Sequence, residues 1–283
     1  MKKIGIIAKE GRPEPVGILR ELLPWLGGKG LEAFVDEDAA QALKMKGYPR
    51  AEITALVDMV ISLGGDGTIL SVARLVCERG IPILGVNLGG LGFITEIARD
   101  EIYDALEKVL DGSCPCEERM MLKASIRRRG ELIAEYNVLN DIVLNKGATS
   151  RIVDIETHVD RNLMTTFRAD GLIACTPTGS TAYNLSAGGP VLYPTVESIV
   201  LTPICSHTLA IRPIVLPQDV EIEIKPVTEN AEVFLAMDGQ VGFALREKDV
   251  VLVTRSPFKT KLMLPFERDY FKVLREKLRW GSR

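Results

Sequence analysis

Along the first hundred residues the apolar positions alternate between two rhythms, a continuous run of strand length and a helical repeat. The clearest instance is Val57 to Gly80, VDMVISLGGDGTILSVARLVCERG. A mainly apolar run, Val57 to Leu63, stops at paired glycines, and beyond them Ile69, Val72, Ala73 and Val76 recur at helical spacing. The pattern predicts a strand, a glycine turn and a helix. Before it, residues 3–8 predict a strand and Pro13 to about Gly27 a helix, with Val16, Leu19, Leu22 and Leu23 on its apolar stripe. Pro13 suits a helix start, while Pro24 is expected to kink or shorten the end. Leu31 to Val35 read as a strand, Ala39 to Lys46 as a short helix, Ile81 to Val86 as a strand and Glu101 to Leu110 as a helix. Alternation of this kind predicts a parallel sheet with helices on its faces, and ligands gather at the carboxyl ends of such strands. The segments Gly64 to Thr68 and Asn87 to Phe93 both follow strands and are both rich in glycine, so they are expected to line one crevice.

After Pro115 the texture changes to short alternating strands: 122–126, 132–138, 142–144, 152–159, 211–215, 220–224, 233–236 and 250–254. Arg129–Gly130 reads as a hairpin turn. The last stretch, Glu267 to Trp280, is helical again, with Phe271, Leu274 and Leu278 on one face. The fold class expected is therefore α/β followed by all-β: a parallel-sheet domain over 1–113, a β-rich, sandwich-like domain over 114–261, and a helical tail over 262–283.

Composition narrows the setting. In 283 residues, 46% hydrophobic and 26% charged content describes a globular chain, and a net charge of −3 leaves no basic footprint for nucleic acid. The N-terminal apolar stretch is short for a signal peptide and breaks at Lys9 and Glu10, and no span is long enough to cross a membrane as a helix. Five scattered cysteines, Cys77, Cys114, Cys116, Cys175 and Cys205, form no disulfide framework, so a cytoplasmic location is expected. Cys114 and Cys116 have no second pair at ligand spacing and read as free thiols in a loop, and His158 and His207 read as structural.

The candidate chemistry sits in two places. Gly64, Gly65 and Gly67 lack a Cβ that would hold a ligand off the backbone, and the free N–H groups where the helix begins favour phosphate. Asp66 among them would repel a phosphate unless a metal or a reacting hydroxyl intervenes, which points to catalysis. The competing reading makes Asp66 a simple N-cap. Further on, Thr176 to Ala182, TPTGSTA, offers several small donors and acceptors, and Tyr183 offers a ring to stack on a base. The competing reading is a polar connection between strands, with Tyr183 covering the core.

GGDGT at 64–68 resembles the motif shared by NAD kinases, 6-phosphofructokinases and the diacylglycerol and sphingosine kinases. Asp170 to Val191, DGLIACTPTGSTAYNLSAGGPV, resembles the NAD kinases alone among these, and Asn140–Asp141 and Asp238–Gly239–Gln240 fall where that family has short motifs. The resemblance implies transfer of the γ-phosphoryl of ATP to the 2′-hydroxyl of the adenosine ribose of NAD, with Mg²⁺ or Mn²⁺ on the nucleotide. It makes Asp66 the proton acceptor and Gly64, Gly65, Gly67 and Thr68 the phosphate cradle. Phe93, Asn140, Asp141, Thr181, Tyr183 and Ser186 would contact the adenosine part, Arg168, Asp170 and Ala182 the nicotinamide end, and Gln240 would lie in the nucleotide site. Asp238 is a weaker candidate for the phosphate-donor region, with a plain turn aspartate as its alternative. Arg168 matches a position where a charged or polar residue goes with use of NAD alone and glycine with use of NADH as well. Two departures stand out: Asn140–Asp141 replaces the Asn-Glu common in the family, and Ser206 stands where a proline is common. The chain has no Walker lysine, so dependence on the metal is expected to be strong. The resemblance also implies that the tail returns to the first domain, and that the protein is a homotetramer or homodimer in which a neighbouring subunit completes parts of the NAD site. Two other readings remain at this point, a lipid kinase sharing GGDGT and a non-catalytic nucleotide sensor.

Overall fold

The computed structural model describes residues 1–283 apart from 91, 96, 148–151, 209, 228–231, 268 and 281–283. Leu91 of the second glycine loop and Arg268 of the tail, which fall within stretches singled out above, therefore lie outside the described residues. The chain divides into two compact units, Met1–Glu118 with Thr260–Arg283, and Arg119–Lys259.

The first unit begins β1 (Lys3–Ala8), α1 (Glu14–Gly28), β2 (Glu32–Val35), α2 (Glu37–Leu43), α3 (Arg50–Leu56), β3 (Met59–Gly64), α4 (Asp66–Val76), β4 (Ile83–Asn87) and α5 (Ile102–Leu110). The strands run parallel in the order β2-β1-β3-β4. Every residue of β3 and β4 is buried, as strands covered on both faces require. Ile4, Ile6, Ile61, Leu63, Leu84 and Val86 share one core with Leu19, Leu22 and Leu26 of α1 and with Ile102, Ala105 and Leu106 of α5. Gly64 pairs with Asn87, so β3 and β4 end level and the two glycine loops start side by side.

Pro24 does not end its helix. It lies inside α1, which runs on to Gly28. Leu22 and Leu26, on either side of it, are both fully buried. Burying two leucines is worth about 1.5–3 kcal/mol each, which offsets the roughly 3 kcal/mol cost of an interior proline. The helix α3 had no counterpart in the sequence reading.

The second unit is built from β5 (Cys116–Arg128), β6 (Glu131–Val138), β7 (Asp141–Lys146), β8 (Val153–Val159), β9 (Asn162–Ala169), β10 (Gly171–Cys175), α6 (Tyr183–Ser186), β11 (Ser198–Ile204), β12 (Ile214–Pro217), β13 (Ile222–Pro226), β14 (Val233–Met237), β15 (Val241–Leu245) and most of β16 (Asp249–Met263). One layer runs β16-β13-β8-β9, with β5 beside β16 and β6 beside β5; the other runs β12-β11-β10-β7-β14-β15, antiparallel throughout. Leu122, Ile155, Phe167, Ile224 and Val251 of the first layer pack with Ile142, Leu144, Leu172, Leu201 and Leu235 of the second, which makes a sandwich. Arg129 and Gly130 form the hairpin turn between β5 and β6, both at positive φ, 52° and 86°.

The chain then rejoins the first unit. Leu262 near the end of β16 pairs in parallel with Ile83 of β4, and α7 (Tyr270–Leu278) follows. The buried face of α7 is Tyr270, Val273 and Leu274, whereas Phe271, expected inside, is 59% exposed. Asp269 sets this phase as N-cap, its carboxylate accepting from Lys272 N at 3.0 Å.

Candidate active site

The turn from β3 into α4 uses its glycines differently. A Cβ on Gly64 would lie 2.1 Å from Thr68 Oγ1, so Gly64 is demanded by packing against the buried Thr68. Gly65 is extended, φ −124°, and a Cβ there would enter open space. Gly65 occupies the N-cap position without a side-chain cap, and the first intrahelical bonds run from Thr68 N (2.9 Å) and Ile69 N (3.3 Å) to Gly65 O. The amides ahead of them form an anion-favouring helix start.

Asp66 is the first residue inside α4 and does not cap it. Its carboxylate turns instead to the second glycine loop. Oδ1 accepts from Ile94 N (3.1 Å), Thr95 N (2.9 Å) and Thr95 Oγ1 (2.8 Å), and Oδ2 accepts from Phe93 N (2.7 Å). The loop passes so close that a Cβ on Gly92 would lie 2.3 Å from Asp66 Oδ1. Asn87 braces the same loop: Nδ2 donates to Gly90 O (2.7 Å) and Thr95 O (3.2 Å), while Oδ1 accepts from Gly89 N (2.9 Å). The N-cap reading of Asp66 is thus replaced by a carboxylate fixed at its position by a neighbouring loop. Phe93 is half-buried, with Lys277 Nζ of α7 5.9 Å from its ring centroid.

Beside the turn lies a cavity of about 330 Å³ lined by Gly64, Gly65, Asn87, Leu88, Gly89 and Gly90 and by Lys9, Arg12 and Glu14 from the segment after β1. Sequence reasoning passed over Lys9 and Arg12. Their signal was position, because they follow β1 directly and so stand at the carboxyl end of a parallel strand. Arg50 nearby is engaged by Glu10 (2.8 Å) and Asp36 (3.1 Å).

In the second unit, Asn140 and Asp141 stand at the start of β7. Their backbone is held by Asp238, whose carboxylate accepts from Leu139 N (3.2 Å), Asn140 N (2.7 Å) and Asp141 N (3.2 Å). Asp238 sits in the β14–β15 turn at positive φ, 50°, and this grip on the 139–141 segment is more than a plain turn aspartate provides. Asn140 is buried, and its Oδ1 has no hydrogen-bond partner among the described residues. A buried acceptor without a donor is rare and suits a ligand N–H or O–H. Burial, with Asp238 next to it, pushes the Asp141 carboxyl up to about 7.

Thr176 N donates to Asn140 O (2.9 Å) and Thr176 Oγ1 to Leu139 O (2.6 Å), which lays the TPTGSTA turn on the Asn140 edge. Gly179 is forced there, since its Cβ would lie 2.2 Å from Asn140 O. Buried Asn184 closes the turn, donating to Ser180 O and Pro190 O (3.0 Å each) and accepting from Thr202 Oγ1 (2.6 Å). Thr181 and Ala182 are half-buried, and Tyr183 is 43% exposed on α6, so its ring does not cover the core. Ser186 and Gln240 are exposed. Arg168 and Asp170 lie elsewhere: they precede β10 while Thr176 follows it, about 20 Å of strand away at ~3.3 Å per residue. Asp170 pairs with Lys146 Nζ at 3.1 Å, and the Arg168 side chain is exposed.

Two family models match: the ATP-NAD kinase N-terminal domain over residues 4–114 and the ATP-NAD kinase C-terminal domain over 139–264. The chain belongs to the NAD kinase family. The NAD kinase of Syntrophotalea carbinolica is 50% identical over 285 residues, and that of Koribacter versatilis 44% over 285, each match covering 100% of both chains. Among solved structures, yeast NADH kinase complexed with NADH is similar at a TM-score of 0.93 and 27% identity, covering 100% of this chain and 89% of that one. An NAD kinase from Archaeoglobus fulgidus in complex with ATP is similar at 0.75 and 25%, covering 98% of each chain. Full-length likeness to NAD kinases, with both family domains matched, sets aside the lipid-kinase reading.

Proposed function

We propose that this chain transfers the γ-phosphoryl of ATP to the 2′-hydroxyl of the adenosine ribose of NAD, giving NADP and ADP. The observation that carries the proposal is the Asp66 carboxylate, held off its own helix by the 93–95 segment and directly following Gly64 and Gly65, which line a cavity with the second glycine loop. A ribose hydroxyl is a weak acid, so a fixed carboxylate that receives its proton as the phosphoryl arrives lowers the barrier. The O–H bond breaks with its proton going to Asp66, the ribose oxygen bonds to the γ-phosphorus, and the bond from that phosphorus to the β-γ bridging oxygen breaks with its electrons leaving on ADP.

The amides at the start of α4 and the cations Lys9 and Arg12 supply the positive field for the triphosphate. This role is one that a Walker lysine fills elsewhere. Asn140, with its unpaired Oδ1, and Asp141 hold the adenosine, with Thr181, Tyr183 and Ser186 near them and Phe93 and Gln240 as further contacts. Arg168, Asp170 and Ala182 serve the nicotinamide end.

A divalent cation, Mg²⁺ or Mn²⁺, is implied by the chemistry. Among the described residues no cluster of three His, Cys, Asp or Glu side chains could hold a metal. The donor set therefore does not fit a protein-held ion; it fits one that travels on the oxygens of ATP, where it offsets their charge.

The enzyme is taken to be a cytoplasmic homo-oligomer, tetramer or dimer. Supporting this, the five cysteines are free, and no helix among the described residues is long and apolar enough to cross a membrane. The separation of Arg168 and Asp170 from the Asn140 edge also suits a site that a second copy completes. Light scattering on the purified protein tests the assembly, and a monomer under assay conditions would refute it.

The functional test is direct. Purified protein with NAD, ATP and Mg²⁺ is expected to form NADP, read by an NADP-specific dehydrogenase. Binding of both nucleotides without turnover would replace the proposal with the sensor reading.

A further inference from the structure

The two oxygens of Asp66 are not equivalent. Oδ1 accepts three donors, Ile94 N, Thr95 N and Thr95 Oγ1, and has no acceptor capacity left. Among the described residues Oδ2 accepts from Phe93 N alone, which leaves it a lone pair for a further donor. Of these four donors Thr95 Oγ1 alone belongs to a side chain; the rest are backbone amides, which no substitution of their own residues removes. Thr95 is fully buried, so no water competes for its hydroxyl. Its own carbonyl is tied down by Asn87 Nδ2 (3.2 Å) and Gly92 N (3.1 Å), which anchors the hydroxyl to the end of β4.

We infer that Thr95 is a positioning residue for phosphoryl transfer: by saturating Oδ1 it fixes the carboxylate plane and makes Oδ2 the oxygen that receives the ribose proton. The inference rests on the proposed role of Asp66 and goes beyond it, by stating which oxygen works and which side chain decides that. Thr95 touches neither substrate. Without its hydroxyl the carboxylate keeps its charge and its three amide donors but gains freedom to rotate about χ2. A proton acceptor displaced by a fraction of an ångström costs rate without costing binding.

The test is a double-mutant cycle in the intact protein. Thr95→Val keeps the shape and removes the donor, and Thr95→Ser keeps the donor. Thr95→Val is expected to lower kcat by about tenfold to a hundredfold, with the KM values for ATP and NAD held within about twofold. Thr95→Ser is expected to recover kcat to within a few-fold of wild type. On an Asp66→Asn background, Thr95→Val should produce no further loss, because the group it positions is gone. A Thr95→Val enzyme with wild-type kcat would overturn the inference. So would equal losses in Val and Ser, or an undiminished effect on the Asp66→Asn background, each of which marks Thr95 as scaffold only. Melting temperature and NAD binding, measured on each variant, identify an unfolded protein, in which case the Ser variant decides. A fully active Asp66→Asn single variant would instead remove the proposed role of Asp66, so the two failures are distinguishable.

Discussion

Asp141 has a carboxyl whose ordinary value of 3.8 is pushed up to about 7 by burial and then by the charge of Asp238. Between those values the folded protein holds a proton that the unfolded chain has released, so stability falls as pH rises from about 4 to about 7 and then levels off. Asp141→Asn removes the titrating group. Denaturant melts of wild type and variant across this range are expected to show a slope in the first that is flattened in the second, with the variant relatively more stable above pH 7. Parallel pH profiles would mean that Asp141 is ionised throughout. Arg168 raises a different question, because its exposed guanidinium should repel the charged ring of NAD more than the neutral ring of NADH. A preference for NAD therefore has to come from placement, with the guanidinium holding an anionic group that fixes one ring pose. Arg168→Gly is expected to move the ratio of kcat/KM for NAD over NADH toward NADH. Wild type using both equally, or an unmoved ratio, would detach Arg168 from the site.

At the scale of the element, the turn between β3 and α4 separates packing from clearance. Gly64→Ala places a Cβ 2.1 Å from Thr68 Oγ1 inside the first unit and is expected to destabilise the fold by about 1–3 kcal/mol. Gly65→Val points its side chain into open space from an extended residue, so backbone strain is absent. It is expected to raise the KM for ATP while leaving the melting temperature near wild type. A stability loss at Gly65 with an unchanged KM would invert the assignment. Both glycines stand in the same motif, and nothing in their order along the chain tells which does which. The strand–turn–helix itself was legible because its apolar run and its helical repeat are long and end at glycines. Elements whose signals are weak were not: α3 is short, and β9, with the pattern NLMTTFRA, presents mostly exposed or half-exposed side chains. The strands β10, β11 and β15 also escaped notice, and β16 proved far longer than the segment 250–254 that announced it. The face of α7 was misjudged because a helical repeat has no origin until its cap at Asp269 is fixed. For the candidate site, residue types pointed to Asp66 and the glycines, and the family resemblance to Asn140–Asp141. The contacts of Thr95 and Asp238 form only when distant segments meet, hydroxyl to carboxylate over 29 residues for Thr95 with Asp66 and amide to carboxylate over 98 for Asn140 with Asp238.

At the scale of the whole molecule, the two units hold different sets of candidate groups. The first, a parallel sheet whose strand ends carry Gly64 to Thr68, Lys9 and Arg12, has the groups suited to a triphosphate and the carboxylate suited to a ribose proton. The second, a sandwich with Asn140 and Asp141 at the start of β7, has the groups suited to a nucleoside. The central claim is that Asp66 takes the proton of the 2′-hydroxyl as phosphate arrives, and one substitution tests it most directly. Asp66→Asn preserves an oxygen for the three donors on Oδ1 and gives up only the bond from Phe93 N, so the 93–95 segment is retained. The measurement is kcat for NADP formation, taken beside NAD affinity, in wild type and Asp66→Asn. The account predicts unchanged NAD affinity and a kcat lower by about two to four orders of magnitude; a kcat near wild type would contradict it.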